Sequence, residues 1–117
     1  MFKFQTTINE NYILLEVSGR LMIYEDAQKL QNKIISELNE TNNIVVICFK
    51  ELEYLNSSGL SVLITILTKS RNLGGETIIT NIPDSIQKLL LISKLNTVFR
   101  IEDNLDLVIS SLNNVKN

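Results

Sequence analysis

The chain has 117 residues, of which 44% are hydrophobic, so residues 1–117 suit one compact domain and are too few for two. Its net charge of −2 and the lack of a dense Lys/Arg cluster argue against nucleic-acid binding. With no histidine and a single cysteine, Cys48, the sequence excludes Ser-His-Asp and Cys-His enzymes, an internal disulfide and a cysteine metal cluster.

The first third of the chain predicts a β-hairpin followed by a helix. FKFQTTI and YILLEVSG alternate apolar and polar residues as strands do, and NEN between them reads as a tight polar turn. Between residues 24 and 39, apolar side chains recur at positions 27, 30, 34 and 38. This spacing predicts an amphipathic helix with one side on a sheet.

The middle of the chain predicts a buried strand that turns into an apolar helix. NIVVICF is a continuous apolar run, typical of a strand covered on both faces, and Cys48 within it is expected to be a packed core thiol. A helix follows from about Ser57 to Leu73. Gly74 and Gly75 should end it, because glycine readily adopts the left-handed backbone found at helix C-termini.

The last third predicts two more strand and helix pairs. ETIITN is a strand, and Pro83 suits the first turn of a third helix. The residues of this helix expected to face inward are Leu89, Leu90 and Ile92. TVFRI is a short last strand, and residues 103–112 form a last helix capped by Asp103 or Asn104, with a tail at about residues 113–117 that is expected to fray.

The predicted order is β-β-α-β-α-β-α-β-α, which places the chain in the α/β class. Repeated strand-helix-strand crossovers imply parallel neighbouring strands, and the opening hairpin adds an antiparallel edge. We therefore expect a mixed, mostly parallel sheet of about five strands with about four helices.

The segment LNSSGL lies where the central strand becomes the second helix, and it has two interpretations. In the first, Asn56 or Ser57 caps the helix and Gly59 lets it approach the sheet closely. In the second, Ser57 is a phosphorylation site, since the helix dipole tolerates an added charge of about −1.5 to −2 at this end. A partner protein packed on that surface would not tolerate the added charge.

The chain resembles the STAS domains of bacterial anti-sigma factor antagonists. The resemblance rests on LEYLNSSGLSVLI, a Gly-Gly about fifteen residues after the serine-glycine turn, and the downstream frame IPDSIQKLLLISKLNTVFRI. LLEVSGRL and NIVVICFKELEYL match the family's earlier strands, so the resemblance covers nearly the whole chain.

The resemblance implies a binding protein and not an enzyme. Such proteins bind an anti-sigma factor that is also a serine kinase, which frees the sigma factor; the kinase then phosphorylates a serine in the turn, and a phosphatase resets it. That serine matches Ser57, and Asn56, Ser58 and Gly59 would shape the turn and contact the partner.

The chain departs from the family pattern at two places near this turn. Asn56 replaces the usual Asp before the serine, and GRLM replaces the usual Gly-Glu-Leu-Asp, which brings Arg20 and Met22 to a loop that helps bind the partner in the family. Both departures remove negative charge. They are consistent with a different partner or with a paralogue that phosphorylation no longer controls.

Val62 and Ile66 widen the apolar stripe of the second helix and have two interpretations. They cover the sheet edge or a neighbouring helix, or they form a partner-binding face beside Ser57. The second interpretation implies that Ile66→Asp weakens partner binding more than it lowers the melting temperature.

Two other classes of function are open to a chain of this kind. A scaffold module, or a subunit of a lipid transport complex, would use a STAS-like domain without phosphorylation. A small enzyme is disfavoured, because the carboxylates form no paired acid/base constellation. No apolar run approaches the ~20 residues of a membrane-spanning helix, and the N-terminus lacks a signal-peptide pattern, so we expect a cytoplasmic protein. We also expect no cofactor and no metal.

Overall fold

A computed structural model describes the backbone of residues 1–115 and the side chains of residues 1–113. The strands are β1 (Lys3–Ile8), β2 (Ile13–Leu21), β3 (Ile44–Leu55), β4 (Glu76–Thr80) and β5 (Arg100–Glu102). The helices are α1 (Tyr24–Glu37), α2 (Ser57–Asn72), α3 (Asp84–Ile92) and α4 (Leu105–Val115), with a short 3-10 turn at Leu95–Thr97. The predicted order of elements is confirmed. The expected fraying at about residues 113–117 falls in part on residues 116–117, outside the described range, and stays a prediction.

The five strands form one sheet in the order β1-β2-β3-β4-β5. β1 pairs with β2 in an antiparallel ladder, and the other three ladders are parallel. The mixed, mostly parallel sheet expected from the crossovers is therefore confirmed.

The central strand β3 is covered on both faces, as its unbroken apolar run predicts. Val45, Ile47 and Phe49 belong to the main core, which also contains buried residues of α1, α2 and α3. Val46, between them, belongs to a second apolar cluster with residues of α4. β3 thus anchors both layers of helices and fixes the point from which α2 begins.

The ends of the helices follow the predicted signals with one difference. Gly74 has φ of +89°, the left-handed conformation expected after α2. The Asn104 side chain accepts hydrogen bonds from the backbone N–H groups of Asp106 and Leu107, so Asn104 caps α4. Pro83 directly precedes α3 and is not within it.

Two expectations for the last third of the chain are wrong. Ile92 was expected to face inward, but it is 80% exposed, because the buried face of the nine-residue α3 runs through Ile86 and Leu90. The last strand is shorter than TVFRI and begins at Arg100, since the chain first closes a 3-10 turn at Leu95–Thr97.

Candidate functional site

The site is the junction between β3 and α2, where Asn56 is the N-cap of the helix. Asn56 has an extended backbone (φ −101°, ψ −169°), and its side-chain Oδ1 accepts a hydrogen bond from the Gly59 backbone N–H at 3.2 Å. An N-cap of this kind satisfies one of the N–H groups that the first helical turn leaves unpaired. The capping interpretation of LNSSGL is therefore confirmed for Asn56.

The other side of Asn56 is joined to the end of β2. Its side-chain Nδ2 donates a hydrogen bond to the Met22 carbonyl at 2.9 Å. Its backbone N–H donates to the Leu21 carbonyl at 3.1 Å. The turn that precedes α2 is thus held against the segment between β2 and α1.

Ser57 is the first residue of α2, and its side chain is exposed, whereas Ser58 is half-buried. The first turn of α2 contains no acidic residue, and Lys69 and Arg71 lie in its last turn. Unpaired N–H groups and the helix dipole make this end of the helix favourable for negative charge. An anionic group on the Ser57 oxygen would therefore lie at the favourable end of α2.

Gly59 is buried where α2 meets the sheet. A Cβ atom at this position would lie 3.1 Å from side-chain atoms of Leu21 and Leu55, which is closer than ordinary van der Waals contact. Gly59 thus allows the close approach of α2 that the sequence predicts. Its predicted role in partner binding stays a prediction.

Arg20 and Met22, the two residues that depart from the family pattern, lie at the surface beside this junction. The Arg20 guanidinium lies 5.5 Å from the centre of the Tyr54 ring, and Arg20 Nε is 3.5 Å from the Met22 sulfur. Met22 is 46% exposed. Their exposure makes both side chains available to a partner, while their contact with one stays a prediction.

Three further exposed side chains, which the sequence analysis did not single out, adjoin the site. Ile23 is 57% exposed, Tyr24 is 67% exposed, and Tyr54 is also exposed. Ile23 and Tyr24 follow Met22 directly and fall outside the buried stripe of α1. Four successive large side chains in LMIY, the last two of them Ile23 and Tyr24, were the signal that could have identified these two residues. We call Met22, Ile23, Tyr24 and Tyr54 the apolar patch.

Val62 and Ile66 do not belong to the surface of the site. They are 2% and 0% exposed and are part of the main apolar core, together with residues of β3 and α1. A partner-binding face formed by these two side chains is therefore contradicted. The alternative is confirmed: α2 packs against both the sheet and α1, which requires a wide buried stripe.

Two further properties of the described residues bear on the class of site. Among residues 1–115, no three His, Cys, Asp or Glu side chains come together in a way that could hold a metal ion. The helices within that range are all too short or too polar to cross a membrane.

Comparison with known proteins identifies relatives over almost the whole chain. A family model described as STAS domain matches residues 3–108. The anti-sigma-B factor antagonist of Bacillus subtilis is 28% identical over 93 residues, which are 80% of this chain and 84% of that protein.

Two solved structures share the fold. An anti-sigma factor antagonist from Mycobacterium paratuberculosis has a TM-score of 0.76 and 18% identity over 97% of this chain and 95% of its own. The anti-sigma factor antagonist SpoIIAA, a Bacillus protein, has a TM-score of 0.74 and 15% identity over 98% of this chain and 99% of its own. The resemblance predicted from the sequence is thus confirmed, and the chain belongs to the STAS domain family.

Proposed function

We propose that this protein is an anti-sigma factor antagonist controlled by phosphorylation of Ser57. In its unmodified form it binds an anti-sigma factor that is also a serine kinase, and the sigma factor is released. The observation that carries the proposal is the exposed Ser57 hydroxyl at the first residue of α2, beside the apolar patch. A kinase can reach the hydroxyl, and a bound partner would cover it.

Electrostatics explains why phosphorylation would end binding without unfolding the protein. A phosphate adds a charge of about −1.5 to −2. At the N-terminus of α2 that charge is favoured by the helix dipole, by about 0.3–1 kcal/mol when exposed. A partner packed against the apolar patch would have to desolvate the same charge, which costs several kcal/mol unless it is paired.

The names of two relatives support this proposal. The Bacillus subtilis protein is an anti-sigma-B factor antagonist, and SpoIIAA has been solved in unphosphorylated and phosphorylated forms with the fold of this chain. We infer that a phosphatase resets Ser57 and that the protein acts in the cytoplasm, where sigma factors and RNA polymerase are. The function requires binding alone, with no cofactor and no catalysis by this chain.

The proposal is tested with the anti-sigma factors of the organism that encodes the chain. Each is purified and titrated against this protein by calorimetry, and then incubated with it and ATP before mass spectrometry of the peptide that contains Asn56 and Ser57. The expected result is one anti-sigma factor that binds and adds one phosphate to Ser57. Binding to none of them would favour the scaffold or transport-subunit class. Phosphate on Ser58 or Ser61 in place of Ser57 would contradict the proposed site.

A further inference from the structure

The side chain of Asn56 is hydrogen-bonded in two directions. Oδ1 accepts from the Gly59 backbone N–H of α2 at 3.2 Å, and Nδ2 donates to the Met22 carbonyl at 2.9 Å. The two partners fix the orientation of the amide, because a backbone N–H can only donate and a carbonyl can only accept. One side chain therefore joins two segments that are 34 residues apart in sequence.

The segment that Asn56 holds carries most of the apolar patch. Met22 directly precedes Ile23, the N-cap of α1, and Ile23 has no side-chain cap of its own. Tyr24 is the first residue of α1. The Asn56 amide thus connects the N-terminus of α2, where Ser57 lies, to the N-terminus of α1, where Met22, Ile23 and Tyr24 are exposed.

Among the side chains that cap helices well, asparagine alone can make both bonds in this geometry. Aspartate and serine cap a helix about as well as asparagine does. An ionised carboxylate has only acceptors, so it would cap Gly59 but would place an oxygen against the Met22 carbonyl. A serine or threonine side chain has one hydroxyl oxygen in place of the two separate amide atoms, so the oxygen that accepts from Gly59 would also have to reach the Met22 carbonyl.

We propose that Asn56 is a positioning residue: its amide ties the apolar patch to the start of α2, so that the patch and Ser57 present one continuous surface. The consequence for partner binding rests on the proposed function. The tie itself is a property of the free protein and can be measured without a partner.

The test compares Asn56→Asp, Asn56→Ser and Asn56→Ala with wild type, and uses Asn32→Asp on the exposed face of α1 as the matched control. If Asn56 acts only as a cap, wild type and the Asp and Ser variants have similar melting temperatures and Ala alone is lower. The proposed tie predicts that Asp and Ser both melt about 4 °C below wild type, which corresponds to one lost hydrogen bond. The melting temperature of Asn56→Ala falls further, and that of Asn32→Asp stays within about 1 °C of wild type.

A second readout follows the patch directly. Backbone ¹⁵N relaxation of residues 22–24 in the free protein should give order parameters near the ~0.85 of rigid backbone in wild type, with lower values in Asn56→Asp. A melting temperature for Asn56→Asp equal to or above that of wild type, with unchanged order parameters, would overturn the proposal. Both readouts stay informative if no anti-sigma factor binds the chain.

The effect of the variants on partner affinity is measured with the anti-sigma factor that binds wild type. Asn56→Asp should weaken that binding about tenfold, whereas Asn32→Asp should leave it unchanged. Loosening of residues 22–24 with full affinity would show that the tie does not position the partner surface, and would reject that part of the proposal while leaving the proposed function intact.

Discussion

The Arg20 guanidinium lies over the Tyr54 ring, 5.5 Å from its centre, across the ladder between β2 and β3. The pair exists because the register shifts between Gly19 and Arg20: Gly19 pairs with Leu52, whereas Arg20 pairs with Tyr54. Such an irregularity lets one strand accommodate an extra residue and redirects side chains. Here it brings a cation and an aromatic ring together at the surface, directly before the turn that carries Ser57.

The contact between Arg20 and Tyr54 should stabilise the protein by a small, measurable amount. At an exposed site a cation–π contact contributes about 0.5–1 kcal/mol. A double-mutant cycle with Arg20→Ala and Tyr54→Ala, followed by urea unfolding, should give a coupling energy in that range. The cycle of Arg71→Ala with Tyr54→Ala is the control and should be additive, because Arg71 instead contacts Glu76 and Val98. Additivity in the first cycle as well would contradict the contact.

The apolar patch should contribute to partner binding far more than to folding. Tyr24 is 67% exposed, so Tyr24→Ala removes little buried area and should change the free energy of unfolding by less than about 1 kcal/mol. If Tyr24 lies in the interface, the same change should weaken binding to the anti-sigma factor by about tenfold or more. Ile92→Ala, at an 80% exposed position on α3, is the control and should affect neither quantity. Equal effects of the two variants on affinity would show that the apolar patch is not part of the interface.

Charge at Ser57 should act through its position and not through net charge. Ser57→Asp should lower the affinity for the anti-sigma factor at least about tenfold while leaving the free energy of unfolding within about 0.5 kcal/mol of wild type. Ser61→Asp adds the same charge one turn further along α2, on an exposed residue, and should have a smaller effect on affinity. Ser57→Ala should bind like wild type and accept no phosphate. Similar losses for Ser57→Asp and Ser61→Asp would indicate a general charge effect.

Substitution of Ile66 should destabilise the fold, as the packing interpretation of this residue implies and the partner-binding interpretation does not. Its side chain is fully buried, so Ile66→Ala should cost about 2–5 kcal/mol of unfolding free energy. Ile64→Ala on the same helix should cost less than about 1 kcal/mol, because Ile64 is 40% exposed. Urea unfolding of both variants checks this. Similar costs at the two positions would contradict the burial of Ile66.

The start of α2 was predictable from the sequence because local chemistry determines it. Asn56 is a preferred capping residue, Ser57 begins the helix, and Gly59 allows the helix to lie against Leu21 and Leu55. The order of elements was predictable for a similar reason, since the apolar periods of strands and helices differ.

The side-chain environment of the site depends on contacts between distant parts of the chain, which periodicity does not reveal. The bond from Asn56 to Met22 exists only because β2 and β3 are neighbours and end at the same level of the sheet. Ile66 is buried because α2 packs against α1 as well as the sheet, and a stripe of that width has the same pattern as an exposed binding face. Ile92 points outward because it lies two residues beyond Leu90, on the face of α3 opposite the buried line through Ile86 and Leu90.

The central claim is that negative charge on Ser57 ends partner binding in a protein that remains folded. The most direct measurement is calorimetric titration of the anti-sigma factor with the unmodified chain and with the chain phosphorylated on Ser57, alongside urea unfolding of both forms. We expect affinity to fall by at least about a hundredfold, equivalent to ~2.7 kcal/mol, while the phosphorylated form unfolds at the same or a slightly higher urea concentration than the unmodified form. Equal affinity of the two forms, or loss of binding that accompanies unfolding of the phosphorylated chain, would contradict it.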